Sequence, residues 1–68
     1  MNKEKSLLLQ SFRIRKGLKQ SDIALLLDIS PTSYSYKESG KRQFKMQELA
    51  ILKQCLELTD QEFSEIFD

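Results

Sequence analysis

The sequence contains no histidine and a single cysteine, Cys55. One cysteine cannot form a disulfide within the chain, and without histidine the ligands from which zinc sites are usually built are missing. The same two gaps leave no ordinary general base near neutral pH and no partner that would activate Cys55 as a nucleophile. We therefore expect no metal, no cofactor and no enzymatic activity, and we interpret Cys55 as a small packing residue.

Long apolar runs are also missing. No stretch approaches the ~18 apolar residues of a membrane span, and the first ten residues, MNKEKSLLLQ, lack the apolar core and cleavage site of a secretory signal. A chain of 68 residues predicts one domain, residues 1–68, with little room for a pocket of about 300 Å³ or more. We expect a cytoplasmic protein that binds neither membranes nor a small-molecule ligand.

Charged residues are plentiful but unevenly distributed. Residues 1–45 hold ten lysines and arginines against four acidic residues, a net charge of +6. Residues 46–68 hold one lysine against six acidic residues, a net charge of −5. A local basic surface attracts phosphate even though the total charge is only +1. The alternative is that both segments form ordinary solvated surfaces.

Apolar residues recur at helical spacing along the chain, and no segment alternates like a strand. Several residues mark helix ends: Gly17 and Gly40 suit left-handed helix stops, Ser30-Pro31 suits a helix start, and TDQE at residues 59–62 has the form of a capping box. The sequence therefore predicts an all-α fold of five helices. The first runs to residue 17, the second spans about 20–27, the third about 31–39, the fourth begins near 46 and the fifth follows residue 59.

The third predicted helix, within SPTSYSYKES at residues 30–39, has two unlike faces. If Tyr34 points inward, a turn of about 100° per residue directs Thr32, Tyr36 and Ser39 outward. This outward face is uncharged and rich in hydroxyl groups, and cations follow it at positions 41, 42 and 45. Hydroxyl groups can contact base edges or phosphates in a DNA major groove, and cations can bind the DNA backbone beside it. The alternative is that serine and threonine only solvate a surface helix.

From Arg13 to Phe63 the sequence resembles the Cro/repressor-type (XRE-like, lambda-repressor-like) helix-turn-helix family of bacterial and phage transcriptional regulators, and its match without gaps is RIRKGLKQSDIALLLDISPTSYSYKESGK, residues 13–41. The family pattern reads R-x-x-x-G-L-T-Q-x-x-L-A-x-x-L-G-V-S-x-x-x-I-S-x-x-E-x-G-K, and a leucine-bearing helix follows it. The resemblance implies a compact five-helix DNA-binding domain in which residues 20–39 form the helix-turn-helix. It also implies a structural ion pair between Arg13 and Glu38. Among the residues that match the pattern are Gln20, Ala24, Leu27, Ser30, Ser35, Glu38, Gly40 and Lys41.

Ile23, Ile29 and Tyr34 are apolar stand-ins for the family's own apolar residues, and three further residues depart from what the family prefers. Asp28 replaces the turn glycine, so we predict a positive φ there, which aspartate tolerates better than most residues. Lys19 and Lys45 replace threonine or serine at the N-caps of helices two and four. Lysine forgoes a cap worth about 1 kcal/mol and opposes the helix dipole. A bound DNA phosphate would make both lysines favourable, whereas the alternative is neutral drift.

The resemblance implies sequence-specific binding of double-stranded DNA by insertion of helix three, residues 31–39, into the major groove. We expect a small Cro-like regulator that acts as a repressor. No arginine, asparagine or glutamine lies on the outward face, so direct base readout should be modest. Expected base contacts are Pro31, Thr32, Ser35 and Tyr36. Expected phosphate contacts are Lys19, Gln20, Ser21, Ser33, Ser39, Lys41, Arg42, Gln43 and Lys45.

A single helix-turn-helix reads about half of a site, so we expect a homodimer on a palindromic operator. Apolar residues off the core stripe of the last two helices form a candidate dimer surface within residues 51–68: Ile51, Cys55, Leu58, Ile66 and Phe67. The alternative is a small core that closes over these side chains. Other functions that fit are an antitoxin-type or restriction-modification controller autoregulator, and a protein-binding adaptor whose helix-turn-helix does not bind DNA.

Overall fold

A computed structural model describes residues 1–68 as five α-helices joined by short connections, with no strand. The helices are α1 (Lys3–Arg15), α2 (Gln20–Leu27), α3 (Pro31–Glu38), α4 (Met46–Cys55) and α5 (Asp60–Phe67). The predicted all-α fold of five helices is confirmed, and α2 has the predicted bounds. Helix α3 ends one residue earlier than predicted because Ser39 forms its C-cap.

Helices α1, α3 and α5 begin at residues whose side chains satisfy a free backbone N–H. Asn2, Ser30 and Thr59 each accept a hydrogen bond from the backbone N–H three residues later, at 2.8, 3.0 and 3.1 Å. In α5 the bond is reciprocal, since Glu62 accepts from the backbone N–H of Thr59 at 2.9 Å. The serine cap and the capping box predicted for α3 and α5 are therefore present.

Helices α1 to α4 all end in the same backbone motif. One or two residues beyond each helix the backbone has a positive φ: 71° at Gly17, 58° at Asp28, 87° at Gly40 and 51° at Glu57. The N–H of this residue and that of the next donate back to carbonyls of the last helical turn, which is a Schellman motif. The predicted positive φ of Asp28 is confirmed. The left-handed conformation of Glu57 was not foreseen, because glutamate gives no sequence signal for it.

The helices enclose one core of ten buried apolar residues. Ala24 is 1% exposed on the side of α2 that packs against α3, where its small side chain allows the two helices to approach. The core residues are Leu9, Phe12, Ile23, Ala24, Leu27, Tyr34, Leu52, Leu56, Leu58 and Ile66.

Two of these core residues correct the predicted dimer surface. Leu58 and Ile66 are only 6% and 0% exposed, so the prediction that they form part of a surface patch is wrong. The turn at Glu57 folds Leu58 back, with its N–H bonded to the carbonyl of Lys53. Helix α5 packs against α1, which directs Ile66 inward.

An open cleft of about 360 Å³ lies where both ends of the chain meet the segment after α3. The prediction of little room for such a volume is wrong, because Phe44 and Phe67 line this space without filling it. None of the five helices has the length and apolar character needed to span a membrane.

Candidate nucleic-acid interface

Helix α3 has a buried side and a free side. Tyr34 is fully buried, whereas Tyr36 is 38% exposed. Pro31 and Thr32 are exposed at the start of the helix, and Ser35 is half-buried beside them. The expected base contacts therefore share the accessible N-terminal and outward side of α3, which is the part of a recognition helix that reaches base edges.

The buried side of α3 is held by the carboxylate of Glu38, which is 3% exposed. Arg13 on α1 donates to it through Nε at 2.8 Å and through Nη2 at 3.2 Å. The Tyr34 hydroxyl donates at 2.7 Å. Burial, and then the hydrogen bond to Glu38, raise the pKa of Tyr34 far above its ordinary value, so this hydroxyl remains a donor. The ion pair implied by the resemblance thus lies within a larger network that fixes α3.

Gln20 belongs to the same network. Its Nε2 donates to Glu38 Oε1 at 3.0 Å, and its side chain is therefore directed into the protein. We expected this side chain to reach a phosphate. Glu38 is a charged acceptor already within hydrogen-bonding distance, so the side chain of Gln20 is held inward, whereas its backbone N–H remains free for an outside acceptor.

A second buried ion pair joins α3 to α4, and the sequence reasoning missed it. Lys37 and Glu48 are 7% and 5% exposed, and Lys37 Nζ lies 2.6 and 2.8 Å from the two carboxylate oxygens of Glu48. Glu48 also accepts from the backbone N–H of Lys45 at 2.8 Å. Burial alone would raise the pKa of Glu48, but the hydrogen bonds from Lys37 and Lys45 outweigh it and hold the pKa below its ordinary value. The one available signal was the position of Lys37 near the inward side of α3.

Three exposed cations follow α3, and we call Lys41, Arg42 and Lys45 the phosphate clamp. None of them takes part in an ion pair. Lys41 Nζ lies 5.5 Å from the centroid of the Tyr36 ring, and Arg42 Cζ lies 5.2 Å from it. These are cation–π distances, so the exposed tyrosine of α3 orients two of the three clamp cations.

The N-termini of α2 and α4 have free backbone donors. Lys19 and Lys45 accept no capping bond, and each is itself bound through its backbone N–H, at 2.8 Å, by an acidic side chain three residues later, Asp22 and Glu48. The first two N–H groups of each helix have no acceptor in the protein. Such N–H groups, with the positive end of a helix dipole and an exposed lysine beside them, suit an oxygen anion.

The remaining predicted DNA contacts differ in whether their side chains already form hydrogen bonds within the protein. Ser21 and Gln43 are exposed, with no side-chain hydrogen bond within the protein. The hydroxyl of Ser33 accepts from Ser30 Oγ at 3.0 Å, and that of Ser39 donates to the carbonyl of Tyr36 at 3.0 Å. Both hydroxyls retain a further lone pair for an outside donor, but Ser39 has used its proton.

Three residues of the predicted dimer surface stay partly accessible. Ile51 and Cys55 on α4 and Phe67 on α5 are half-buried against the core. Partial burial raises the pKa of the Cys55 thiol, which therefore remains protonated and unreactive near neutral pH. Without Leu58 and Ile66, the predicted dimer surface is reduced to these three partly exposed apolar side chains.

A short α2, a three-residue connection and an α3 with a free polar face constitute a helix-turn-helix DNA-binding domain. The family model described as helix-turn-helix matches residues 9–63, and the chain belongs to this Cro/repressor-type (XRE-like) family. Members of this family are transcriptional regulators that bind double-stranded DNA, and this chain is of that class. No curated protein and no solved structure matched the chain in our searches.

Proposed function

We propose that this protein is a Cro-like repressor that binds a palindromic operator as a homodimer. The observation that carries the proposal is the free, hydroxyl-lined face of α3 bordered by the unpaired cations of the phosphate clamp. Neutral hydroxyls suit the interior of a groove, and cations suit the phosphates on its rim. On this proposal α3 enters the major groove and the clamp binds the backbone beside it.

Base recognition rests on few side chains. Thr32, Ser35 and Tyr36 supply hydroxyl groups, and Pro31 fixes the entry of the helix into the groove. None of them can make the bidentate contacts that arginine makes to guanine or glutamine makes to adenine. Part of the specificity is therefore assigned to DNA shape, which is sensed through the position of backbone contacts.

Phosphate binding is assigned to two helix N-termini and to the clamp. Lys19 with the free N–H groups of Gln20 and Ser21 forms one set of donors, and Lys45 with the start of α4 forms another. The dimer is assigned to Ile51, Cys55 and Phe67, whose partial exposure leaves apolar surface for a second copy.

The test is the salt dependence of DNA binding. Duplexes are first selected from a random pool, and the dissociation constant of the selected site is then measured by fluorescence anisotropy between 50 and 200 mM salt. Lys19→Ser and Lys45→Ser should each lower the slope of log K against log salt by about 1, because each removes one phosphate contact. Both variants should be at least as stable as the wild type, since serine restores a helix cap.

Lys53→Ser is the matched control, because it removes a lysine of α4 that already pairs with Asp60. Its salt slope should equal that of the wild type. Wild-type binding that is absent or insensitive to salt would exclude the DNA-binding proposal and favour a protein-binding adaptor. A selected site without two half-sites about 10 base pairs apart would contradict the homodimer on a palindrome.

A further inference from the structure

The Lys37–Glu48 pair contributes no side chain to the DNA contacts proposed above, yet both of its residues adjoin them, since Lys37 follows Tyr36 and Glu48 binds the backbone N–H of Lys45. Lys37 follows the exposed Tyr36 on α3, and Glu48 lies in the first turn of α4. The two bonds from Lys37 Nζ are the only side-chain hydrogen bonds between α3 and α4. The pair therefore fixes the start of α4 relative to the end of α3.

The phosphate clamp is divided between these two helices. The backbone N–H groups of Lys41 and Arg42 both donate to the carbonyl of Tyr36, at 2.9 and 3.2 Å, so these residues are attached to α3. Lys45 is attached to α4 instead, because its N–H donates to Glu48 and its carbonyl accepts from Leu49 at 3.0 Å. Any shift of α4 relative to α3 changes the distance between the two parts of the clamp.

The chemistry of the pair favours a geometric role. Burying two charges is costly, and an apolar pair of similar volume commonly gives equal or greater stability. The charged pair instead fixes the relative orientation of the two side chains, since the ammonium group of Lys37 donates to both carboxylate oxygens of Glu48, at 2.6 and 2.8 Å. The same carboxylate holds the N–H of Lys45, so one side chain sets both the helix spacing and the position of a clamp residue.

We propose that Lys37 and Glu48 are positioning residues for DNA binding, which hold the α3 and α4 parts of the phosphate clamp at the spacing of the phosphates they bind. This proposal rests on the proposed function, because it assumes that the clamp contacts DNA. It concerns a pair that the family pattern leaves open, since position 37 is unspecified there and position 48 lies beyond it.

The test is the double variant Lys37→Met with Glu48→Gln. It leaves the net charge unchanged, retains an oxygen that can accept from the N–H of Lys45, and strands no charge in the interior, so its melting temperature should fall less than that of either single variant. The salt slope should nevertheless fall by about 1, which makes the loss of affinity between 50 and 200 mM salt about 4-fold smaller. Discrimination between the selected site and its single-base variants should fall as well.

The matched control is Lys53→Met with Asp60→Asn, which removes one ion pair of the same charges between α4 and α5. It should leave slope and discrimination unchanged. Lys37→Arg retains a cation for Glu48 and should keep the wild-type slope. If the stable double variant has wild-type slope and discrimination, the pair is only structural and the proposal is overturned.

Two further measurements distinguish failure of the positioning role from misfolding of the double variant and from failure of the clamp itself. If the double variant does not fold, Lys37→Gln with Glu48→Gln is measured instead, because it also leaves no unpaired charge in the interior; a partly flattened slope supports the proposal and a wild-type slope overturns it. Lys41→Ala removes a clamp cation directly and should flatten the slope by about 1 without changing the melting temperature. An unchanged slope in Lys41→Ala would mean that the phosphate clamp does not contact DNA. If the slope of Lys41→Ala does fall, the clamp contacts DNA, and a wild-type slope in the double variant then overturns only the positioning role of Lys37 and Glu48.

Discussion

Replacing Glu38 by alanine should strongly destabilise the fold. Glu38 accepts four hydrogen bonds from three helices: two from Arg13, one from Gln20 and one from Tyr34. Its loss leaves the guanidinium of Arg13, which is 7% exposed, without a counter-charge, and leaves the buried hydroxyl of Tyr34 without its acceptor. Breaking a buried ion pair by removing one partner costs about 3–5 kcal/mol. For a domain of this size, a loss of about 4 kcal/mol lowers the melting temperature by roughly 15–30 °C.

Thermal denaturation followed by circular dichroism measures this shift. Glu65→Ala is the matched control, since it removes an exposed glutamate whose side chain only accepts a bond from Gln61 at 3.3 Å, and its melting temperature should be close to that of the wild type. Glu38→Gln, which keeps a hydrogen-bond acceptor, should lie between the two. A Glu38→Ala protein that melts within a few degrees of the wild type would refute the assignment of the network as the main tie between α1, α2 and α3.

Two further predictions concern stability. Glycine adopts a positive φ without a steric penalty, so Asp28→Gly and Glu57→Gly should leave the free energy of unfolding unchanged or raise it by up to about 1 kcal/mol. Urea titrations measure this free energy, and a clear decrease would contradict the left-handed backbone assigned to these two residues. Because Glu48 has a lowered pKa when folded, its contribution is complete above the ordinary glutamate value of about 4.3 and is lost as the pH falls through the lower folded value. Stability should thus fall more steeply with acid in the wild type than in Glu48→Gln, and equal acid dependence would exclude this contribution.

Much of the fold could be predicted because its signals are local. Proline and serine at the start of α3, the capping box of α5 and the glycines after α1 and α3 act within one helical turn, and each marks a helix end that the structure contains. The buried positions of Leu58 and Ile66 could not be predicted in this way. They depend on the turn at Glu57 and on the packing of α5 against α1, and no local pattern specifies either.

The candidate site likewise contains some features that local sequence predicts and others that depend on the tertiary structure. The unlike sides of α3 follow from helical geometry, so the burial of Tyr34 and the exposure of Tyr36 are foreseeable. The Lys37–Glu48 pair joins residues 11 positions apart across the connection between α3 and α4, and the inward turn of Gln20 depends on where Glu38 lies in space. Both features require the tertiary structure, because they are decided by which charged acceptor a long side chain can reach.

The way in which α1 to α4 end also bears on how quickly the chain becomes active after synthesis. Each Schellman turn closes within six consecutive residues, and connections of three to seven residues join the helices. Helical domains dominated by such local contacts fold in microseconds to milliseconds. Translation at about 5–20 residues per second takes several seconds for a chain of 68 residues. Translation, rather than folding, therefore sets the shortest delay between the start of synthesis and a folded domain.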